Sequence, residues 1–201
     1  EETTTASCFR PDDIPAPLDA YGASKLEAEQ ALLDISDNTG LEIVIIRPPL
    51  VYGPGVKANF ETMIKWSNRR VPLPFGAIRN RRSLVGLINL VDVIIRCLEH
   101  PKAVGQIFLV SDDNDLSTTE LLRRTSAALG KSALLVPVPQ RWLEKVTDLL
   151  NVQHISQRLF CSLRVDMSKT KRMLDWSPPI TVDDELRSTV QYWLDHQRRT
   201  A

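Results

Sequence analysis

The sequence predicts an α/β protein in which parallel strands are covered by helices. A helical pattern at residues 18–39 is followed at once by Leu-Glu-Ile-Val-Ile-Ile-Arg at 41–47, which contains four consecutive β-branched residues. Such a strand is apolar on both faces, as in parallel sheets buried between helices. Further short apolar runs alternate with longer helical patterns, and a helix followed by a strand is half of a βαβ unit.

The amino-terminal elements follow from local signals. Residues 1–20 are rich in Thr, Pro and Asp and predict an irregular loop. The helix at 18–39 ends at Gly40, a natural terminator. Its apolar positions, which are expected to face the core, are Leu26, Ala28, Ala31, Leu32 and Ile35. The prolines and glycines of 48–55 predict a rigid turn at the carboxyl end of the strand, where open α/β sheets bind ligands.

The later elements are shorter. An extended segment is expected at 71–76, because each proline biases its predecessor away from the α region. Strands are predicted at 84–88, 106–110 and 163–166. Helices are predicted at 58–70, 89–100, 117–130, 141–150, 156–160 and 181–198, and a short helix is predicted to end at 174. Capping pairs mark three helix starts: Asn89 with Asp92, Ser117 with Glu120, and Thr181 with Asp184.

Composition excludes several function classes. The 25 basic residues balance the 25 acidic ones, so no global field favours nucleic acid or an anionic membrane. No apolar run approaches the roughly 20 residues of a membrane helix. The scattered cysteines and histidines predict reduced thiols in a cytoplasmic protein and no metal site; they are Cys8, Cys97, Cys161, His100, His154 and His196. The acidic run 112–115 lacks the pattern of a calcium loop and is interpreted as a solvated turn.

The pentapeptide Tyr-Gly-Ala-Ser-Lys at 21–25 carries the chemistry. On a helix, Tyr21 and Lys25 lie on one face, one turn apart. A neighbouring ammonium favours the phenolate form of a tyrosine, so Tyr21 is a candidate general acid/base. A surface helix with one aromatic and one solvated lysine is the alternative interpretation of the same spacing.

A series of motifs then follows in a fixed order. They are Arg-Pro-Pro-Leu-Val-Tyr-Gly-Pro-Gly (47–55), Lys-Ala-Asn-Phe (57–60), Pro-Leu-Pro-Phe-Gly (72–76), Arg-Ser-Leu-Val (82–85) and Asn-Leu-Val-Asp (89–92). Together with Tyr21 and Lys25 they resemble the extended short-chain dehydrogenase/reductase family, close to its UDP-glucose 4-epimerase-like nucleotide-sugar epimerases and reductases. The resemblance implies the remainder of a Rossmann domain at 1–56 and 84–112, and a substrate-binding region at 57–83 and 113–201.

By that resemblance, Tyr21 and Lys25 are catalytic and, with Pro48, contact the nicotinamide end of NAD, with NADP as the alternative. The substrate would be a UDP-sugar. Its contacts would be Asn59, Leu73, Phe75, Arg82 and Arg158. Helix capping by Asn59, core packing of Phe75 and strand termination by Pro48 are the structural alternatives.

The family resemblance also implies what this chain does alone. No Gly-x-x-Gly-x-x-Gly is present, so we expect the carboxyl-terminal part of a UDP-hexose or UDP-N-acetylhexosamine 4-epimerase, inactive by itself. A UDP-4-keto-sugar reductase would use the same Tyr21 and Lys25. A non-catalytic assembly module built on the helix at 18–39, which in the family contributes to a homodimer, is the alternative from another class.

Overall fold

The computed structural model describes residues 7–17, 19–149 and 159–200. Its helices are α1 (Ala20–Thr39), α2 (Ala58–Arg69), α3 (Leu87–Glu99), α4 (Thr118–Ala128), α5 (Gln140–Leu149), α6 (Ser168–Leu174) and α7 (Val182–Thr200). Its strands are β1 (Ile45–Arg47), β2 (Leu50–Tyr52), β3 (Leu84–Gly86) and β4 (Ile107–Leu109). The predicted α/β class is confirmed.

The strands form two parallel pairs. Strand β1 pairs with β4, with Ile46 opposite Phe108, and β2 pairs with β3, with Val51 opposite Val85. The turn predicted at 48–55 is therefore partly wrong, because Leu50–Tyr52 forms a strand. Two prolines precede it and two glycines follow it within three residues. This composition hides a strand whose partner lies more than 30 residues away.

Two apolar clusters organise the packing. One lies around β4 and the buried side of α3, and includes Phe108, Val93 and Trp176. The other joins β2 and β3 to α2, α4 and α7, and includes Ile64 and Leu186. Helix α4 packs on both α2 and α7. The second cluster includes Phe60 and Leu84, which lie close in sequence to the predicted substrate contacts Asn59 and Arg82. The division into two regions remains a prediction.

Helix α1 begins and ends as predicted but lies on the surface. Asp19 caps it by accepting a hydrogen bond from the Gly22 backbone, and Gly40 ends it with a left-handed φ of 72°. No residue of α1 is buried, so its predicted core-facing residues do not face a core within the described chain. The Glu29 carboxylate joins α1 to β1 by accepting from both Nε and Nη2 of Arg47.

Among the other local predictions, some of those that depend on neighbouring residues are confirmed, and one that depends on distant partners is not. The Ser117–Glu120 capping box is confirmed, and Thr181 Oγ1 accepts from the Asp184 backbone at the start of α7. The Asn89–Asp92 cap is wrong, because α3 begins at Leu87 and Gly86 is its N-cap. The strand predicted at 163–166 is reduced to isolated bridges, one of which joins Phe9 to Val165.

Two kinds of feature are absent from the part of the chain that the structure describes. None of its helices is long and apolar enough to cross a membrane. No three of its His, Cys, Asp or Glu side chains are grouped so that they could hold a metal ion.

Candidate functional site

Tyr21 and Lys25 lie together on the exposed face of α1. The Lys25 Nζ atom is 5.4 Å from the centroid of the Tyr21 ring, within cation–π range. The Tyr21 side chain is 71% exposed. Within the described residues, neither the Tyr21 hydroxyl nor the Lys25 ammonium forms a hydrogen bond or ion pair. The pair is therefore assembled as the spacing predicts, and both groups are free to meet a ligand.

The structure describes three other predicted residues to different extents. Pro48 is exposed in the two-residue step between β1 and β2. Asn59 is the second residue of α2, so it is not the N-cap, a position that Lys57 occupies without a side-chain hydrogen bond. The side chain of Asn59 and the whole of Arg158 lie outside the described residues.

The extended segment 71–76 is anchored to the chain before α5. The Leu73 backbone donates to Leu134 and accepts from Val136, and its side chain is buried. The Phe75 carbonyl accepts from Thr119 Oγ1, and its half-buried ring lies 6.3 Å from that of Phe160. Because the Leu73 backbone is already bonded to the protein, the Phe75 ring is the better placed of the two for a ligand.

Arg82 is held at a corner between three segments. Its backbone exchanges hydrogen bonds with Leu116, and its Nη1 donates to the Cys161 carbonyl at 3.1 Å. Burial lowers the pKa of the Arg82 guanidinium. Within the described chain no carboxylate lies within ion-pair distance of it. A partly buried guanidinium without a counter-charge is a strong attractor for an anion such as a diphosphate.

Phe75 and Arg82 converge on consecutive residues. The Phe75 ring meets Phe160, and the Arg82 guanidinium meets the Cys161 carbonyl. Asn80 secures this segment, because its amide donates to the Leu159 and Cys161 carbonyls. Among the described residues, no hydrogen bond, ion pair or ring contact joins Tyr21 or Lys25 to this corner. The structure thus assembles the predicted residues into two separate groups.

A buried polar network supports the corner, and part of it was missed by sequence reasoning. The Asp112 carboxylate accepts from the Tyr52 hydroxyl, the Gly86 backbone and the Asn89 amide, all at 2.7–2.8 Å. The interpretation of 112–115 as a solvated turn is therefore wrong for Asp112, which is buried. Burial and the Asp112 carboxylate raise the pKa of Tyr52 far above its ordinary value. A carboxylate two residues after the predicted strand at 106–110 was the available signal.

A polar cavity of about 430 Å³ lies elsewhere, beyond the carboxyl end of β4. Its walls include Cys8, Arg81, Asp113, Arg164 and Lys171. Two ion pairs lie there, Arg164 with Asp115 and Lys171 with Asp113. None of the predicted site residues lines it, so this cavity is not the predicted site.

Comparisons with known proteins agree with the motif series. The profile described as the NAD dependent epimerase/dehydratase family matches residues 2–111. A UDP-glucose 4-epimerase of Vibrio cholerae is 44% identical over 200 residues, which are 98% of this chain and 61% of the relative. A GDP-6-deoxy-D-mannose reductase of Pseudomonas aeruginosa is 26% identical over 190 residues, covering 90% of this chain and 57% of the relative.

The fold has the same relatives. A crystal structure of UDP-glucuronic acid 4-epimerase from Bacillus cereus in complex with NAD matches with a TM-score of 0.75 and 21% identity. The match covers 97% of this chain and 58% of that one. This chain therefore spans about three fifths of the length of these three relatives.

Proposed function

Because the chain belongs to the NAD dependent epimerase/dehydratase family, we propose that the intact protein is a nucleotide-sugar 4-epimerase. Its substrate is a UDP-hexose or a UDP-N-acetylhexosamine. The observation that carries the proposal is the Tyr21–Lys25 pair, which presents a phenol and an ammonium on one exposed helix face. The 44% identity to a UDP-glucose 4-epimerase supports the same reaction class.

The corner around Arg82 supports the choice of a nucleotide diphosphate. The Arg82 guanidinium, partly buried and without a carboxylate partner among the described residues, would bind the diphosphate. The Phe75 ring would contact the uracil, and Asn59 and Arg158 would complete the diphosphate contacts. Leu73 would support this surface by packing, since its backbone is bonded to 134–136.

The residues present fit one end of NAD. Tyr21, Lys25 and Pro48 are all exposed, and the first two have free polar groups that suit a ribose. The sequence holds no Gly-x-x-Gly-x-x-Gly, so the groups that bind a pyrophosphate at a helix N-terminus are not among these residues. NAD, when bound, would supply the oxidation and re-reduction of the sugar at C4.

The chain's own contribution to the reaction is proton transfer. Tyr21 would take the proton of the sugar 4-hydroxyl during oxidation and return it after the keto-sugar has rotated to present its opposite face. The Lys25 ammonium would stabilise the phenolate form that this role requires. Arg82 would hold the diphosphate while the sugar presents its other face.

The intact protein allows the reaction itself to be tested. With a UDP-sugar, inversion at C4 without net consumption of NAD(P)H is expected. Net consumption would instead identify a 4-keto-sugar reductase, an activity class found among the relatives. Tyr21→Phe should lower kcat about 10²–10⁴-fold. Tyr192→Phe, which alters another exposed tyrosine, is the matched control and should leave kcat unchanged. Full activity of Tyr21→Phe would refute the proposal.

The 201-residue chain allows the two groups of residues to be tested apart. Calorimetry should detect UDP but no micromolar binding of NAD, and we expect the chain alone to be inactive. Arg82→Ala should weaken UDP binding about tenfold or more. Arg79→Ala, at an exposed arginine in the same segment, should not. Equal effects of the two substitutions would exclude the Arg82 corner as the UDP site.

The surface of α1 favours a second candidate function, assembly of a homodimer. Leu32, Leu33 and Ile35 are 36–47% exposed on a helix that buries no residue. An apolar stripe of this kind is typical of an interface. Sedimentation of the chain distinguishes the two functions, because a dimer that does not bind UDP would favour an assembly module. A monomer at high concentration would exclude it.

A further inference from the structure

Glu185 is a buried carboxyl that the proposed reaction does not use. It lies in the first turn of α7 and is completely inaccessible to solvent. Neither of its oxygens forms a well-shaped hydrogen bond within the described residues. Burying such a group without a partner is unfavourable. The groups that surround the Glu185 carboxyl should therefore show why it is buried.

The side chain points to the junction of β2, β3 and α3. A Cβ atom on Gly53, directly after β2, would lie 2.9 Å from Glu185 Oε1. A Cβ atom on Gly86, the last residue of β3, would lie 2.7 Å from Glu185 Cγ. Real Cβ atoms do not approach so closely, so the two glycines form a slot that the Glu185 side chain fills, with the Leu87 Cβ atom, 2.5 Å from the Gly53 position, as its other neighbour.

The slot opens onto the amino terminus of α3. The N-cap of this 13-residue helix is Gly86, which offers no side-chain acceptor. The first N–H groups of a helix lack internal partners. The backbone N–H groups of Leu87 and Ile88 lie near the Glu185 carboxyl and partly oppose the rise of its pKa. Glu185 thus brings a carboxyl from a distant helix to a helix start whose own N-cap has no side-chain acceptor.

Two carboxyls meet at this helix start and differ in their hydrogen bonding. Asp112 receives three hydrogen bonds, including that of Gly86 N–H. Glu185 receives none of good geometry. Burial, and then the Asp112 carboxylate, raise the pKa of Glu185. Tyr52, the other titratable group at the junction, is neutral, and Asp183 pairs with Arg124 at the surface. Burial beside the well-satisfied Asp112 carboxylate therefore favours the neutral form of Glu185.

We propose that Glu185 is a positioning residue that fixes the first turn of α3 and the carboxyl ends of β2 and β3 relative to α7. Strand β3 begins two residues after Arg82, and β2 leads through Gly53 to α2, which carries Asn59. Glu185 therefore sets the placement of two of the candidate diphosphate contacts, Arg82 and Asn59, without touching the substrate. This consequence for UDP rests on the proposed function, whereas the role in the fold does not.

The first test follows the α3 amides by hydrogen exchange in the 201-residue chain. Glu185→Ala should speed exchange at Leu87 and Ile88 about fivefold or more, the effect of losing a helix cap. Glu185→Gln keeps the shape and one acceptor and should stay within twofold of the parent. Glu99→Gln, at the exposed far end of the same helix, should change neither amide. Unchanged exchange in Glu185→Ala would overturn the proposal.

The second test uses pH and needs only Glu185→Gln, so it decides the matter even if Glu185→Ala fails to fold. A carboxyl whose pKa is raised by folding makes the parent progressively less stable, relative to a glutamine variant, as pH rises above about 4.5. The melting temperature of Glu185→Gln minus that of the parent should therefore grow by about 2 °C or more between pH 4 and pH 8. A difference in melting temperature that does not change with pH is expected for Glu99→Gln. The same result for Glu185→Gln would show that folding does not raise the pKa of Glu185.

The third measurement separates this inference from the proposed function. In UDP titrations, Glu185→Ala should weaken binding about fivefold and Glu185→Gln less than twofold. If the parent chain does not bind UDP, the proposed function fails while the exchange and pH results still decide the role of Glu185. If the parent binds UDP and Glu185→Ala binds it equally well, the influence of Glu185 on the site is refuted.

Discussion

Helices α1 and α7 are nearly equal in length, at 20 and 19 residues, but differ in what they bury. Helix α1 buries none of its residues. Helix α7 buries five in its first three turns, including Glu185, Leu186 and Val190. The candidate acid/base pair lies on the first helix, and the second helix encloses the segments that lead to Arg82. The candidate catalytic groups and the candidate substrate contacts thus lie in regions that are expected to differ in local stability.

The polar contacts of the two regions differ in the same way. One partly exposed ion pair, Arg47 with Glu29, joins α1 to the sheet. Around α7, the Asp112 carboxylate is buried and receives three donors. Because unsatisfied buried groups are costly, the α7 region should resist local opening, whereas α1 should open easily. Paired substitutions in the two regions test this difference.

The largest effect is expected from the polar anchors. Asp112→Ala would leave the Tyr52 hydroxyl, the Gly86 N–H and the Asn89 amide without their acceptor, which should lower the free energy of unfolding by about 4 kcal/mol. Glu29→Ala breaks only the surface pair and should lower it by about 1 kcal/mol. Urea unfolding measures both. Equal losses would show that α1 is anchored as firmly as the α7 region.

The apolar side chains give the next largest contrast. Leu186 is fully buried, and Leu32 on α1 is 44% exposed. Leu186→Ala should lower the free energy of unfolding by about 3 kcal/mol through lost contacts and a cavity. Leu32→Ala should change it by less than about 0.5 kcal/mol. A large loss for Leu32→Ala would mean that α1 is covered in solution, for example by a second copy of the chain.

Helix caps provide a smaller, pH-dependent comparison. Ser117 and Glu120 cap α4 reciprocally, whereas Asp19 alone caps α1. Ser117→Ala should lower the free energy of unfolding by about 1 kcal/mol at pH 7. Hydrogen bonds from Ser117 lower the pKa of Glu120. The stabilisation is therefore present above about pH 4.5 and is lost as pH falls through the lower pKa of the folded state.

The measurement is thermal unfolding of Ser117→Ala at several pH values, with Asp19→Ala as the matched change on α1. The deficit of Ser117→Ala should shrink below pH 4. Asp19→Ala should cost about 0.5 kcal/mol or less, because fraying of α1 exposes no core. A deficit of Ser117→Ala that is constant down to pH 2 would contradict the role given to Glu120.

The predictable parts of the fold are those whose causes lie within a few residues. The box at Ser117 and the stop at Gly40 follow from neighbouring atoms, and both are present. Strand β2 depends on a partner at 84–86, and prolines and glycines on either side concealed it. The apolar pattern of α1 predicted a helix correctly but could not tell what would cover it.

The candidate site likewise contains features with local causes and features that depend on distant parts of the chain. The pairing of Tyr21 with Lys25 follows from helical geometry, so the sequence alone could predict it. Arg82 was identified by its motif, but its enclosure by 116 and 161 comes from contacts across more than 30 residues. Asp112 and Glu185 could not be assigned roles, because a buried carboxyl is defined by partners that only the folded chain brings together.

The smallest effect on stability is expected at the residue with the largest expected effect on the reaction. The Tyr21 hydroxyl makes no hydrogen bond within the described chain, and its side chain is 71% exposed. Tyr21→Phe removes only that hydroxyl and should change the free energy of unfolding by less than about 0.3 kcal/mol. Tyr52→Phe is the matched substitution in the enclosed region. It removes a buried hydrogen bond to Asp112 and should cost about 1 kcal/mol or more. Urea unfolding of the two variants compares them directly. A Tyr21→Phe variant that is destabilised as much as Tyr52→Phe would give Tyr21 a structural role, and a later loss of activity could then not be assigned to proton transfer.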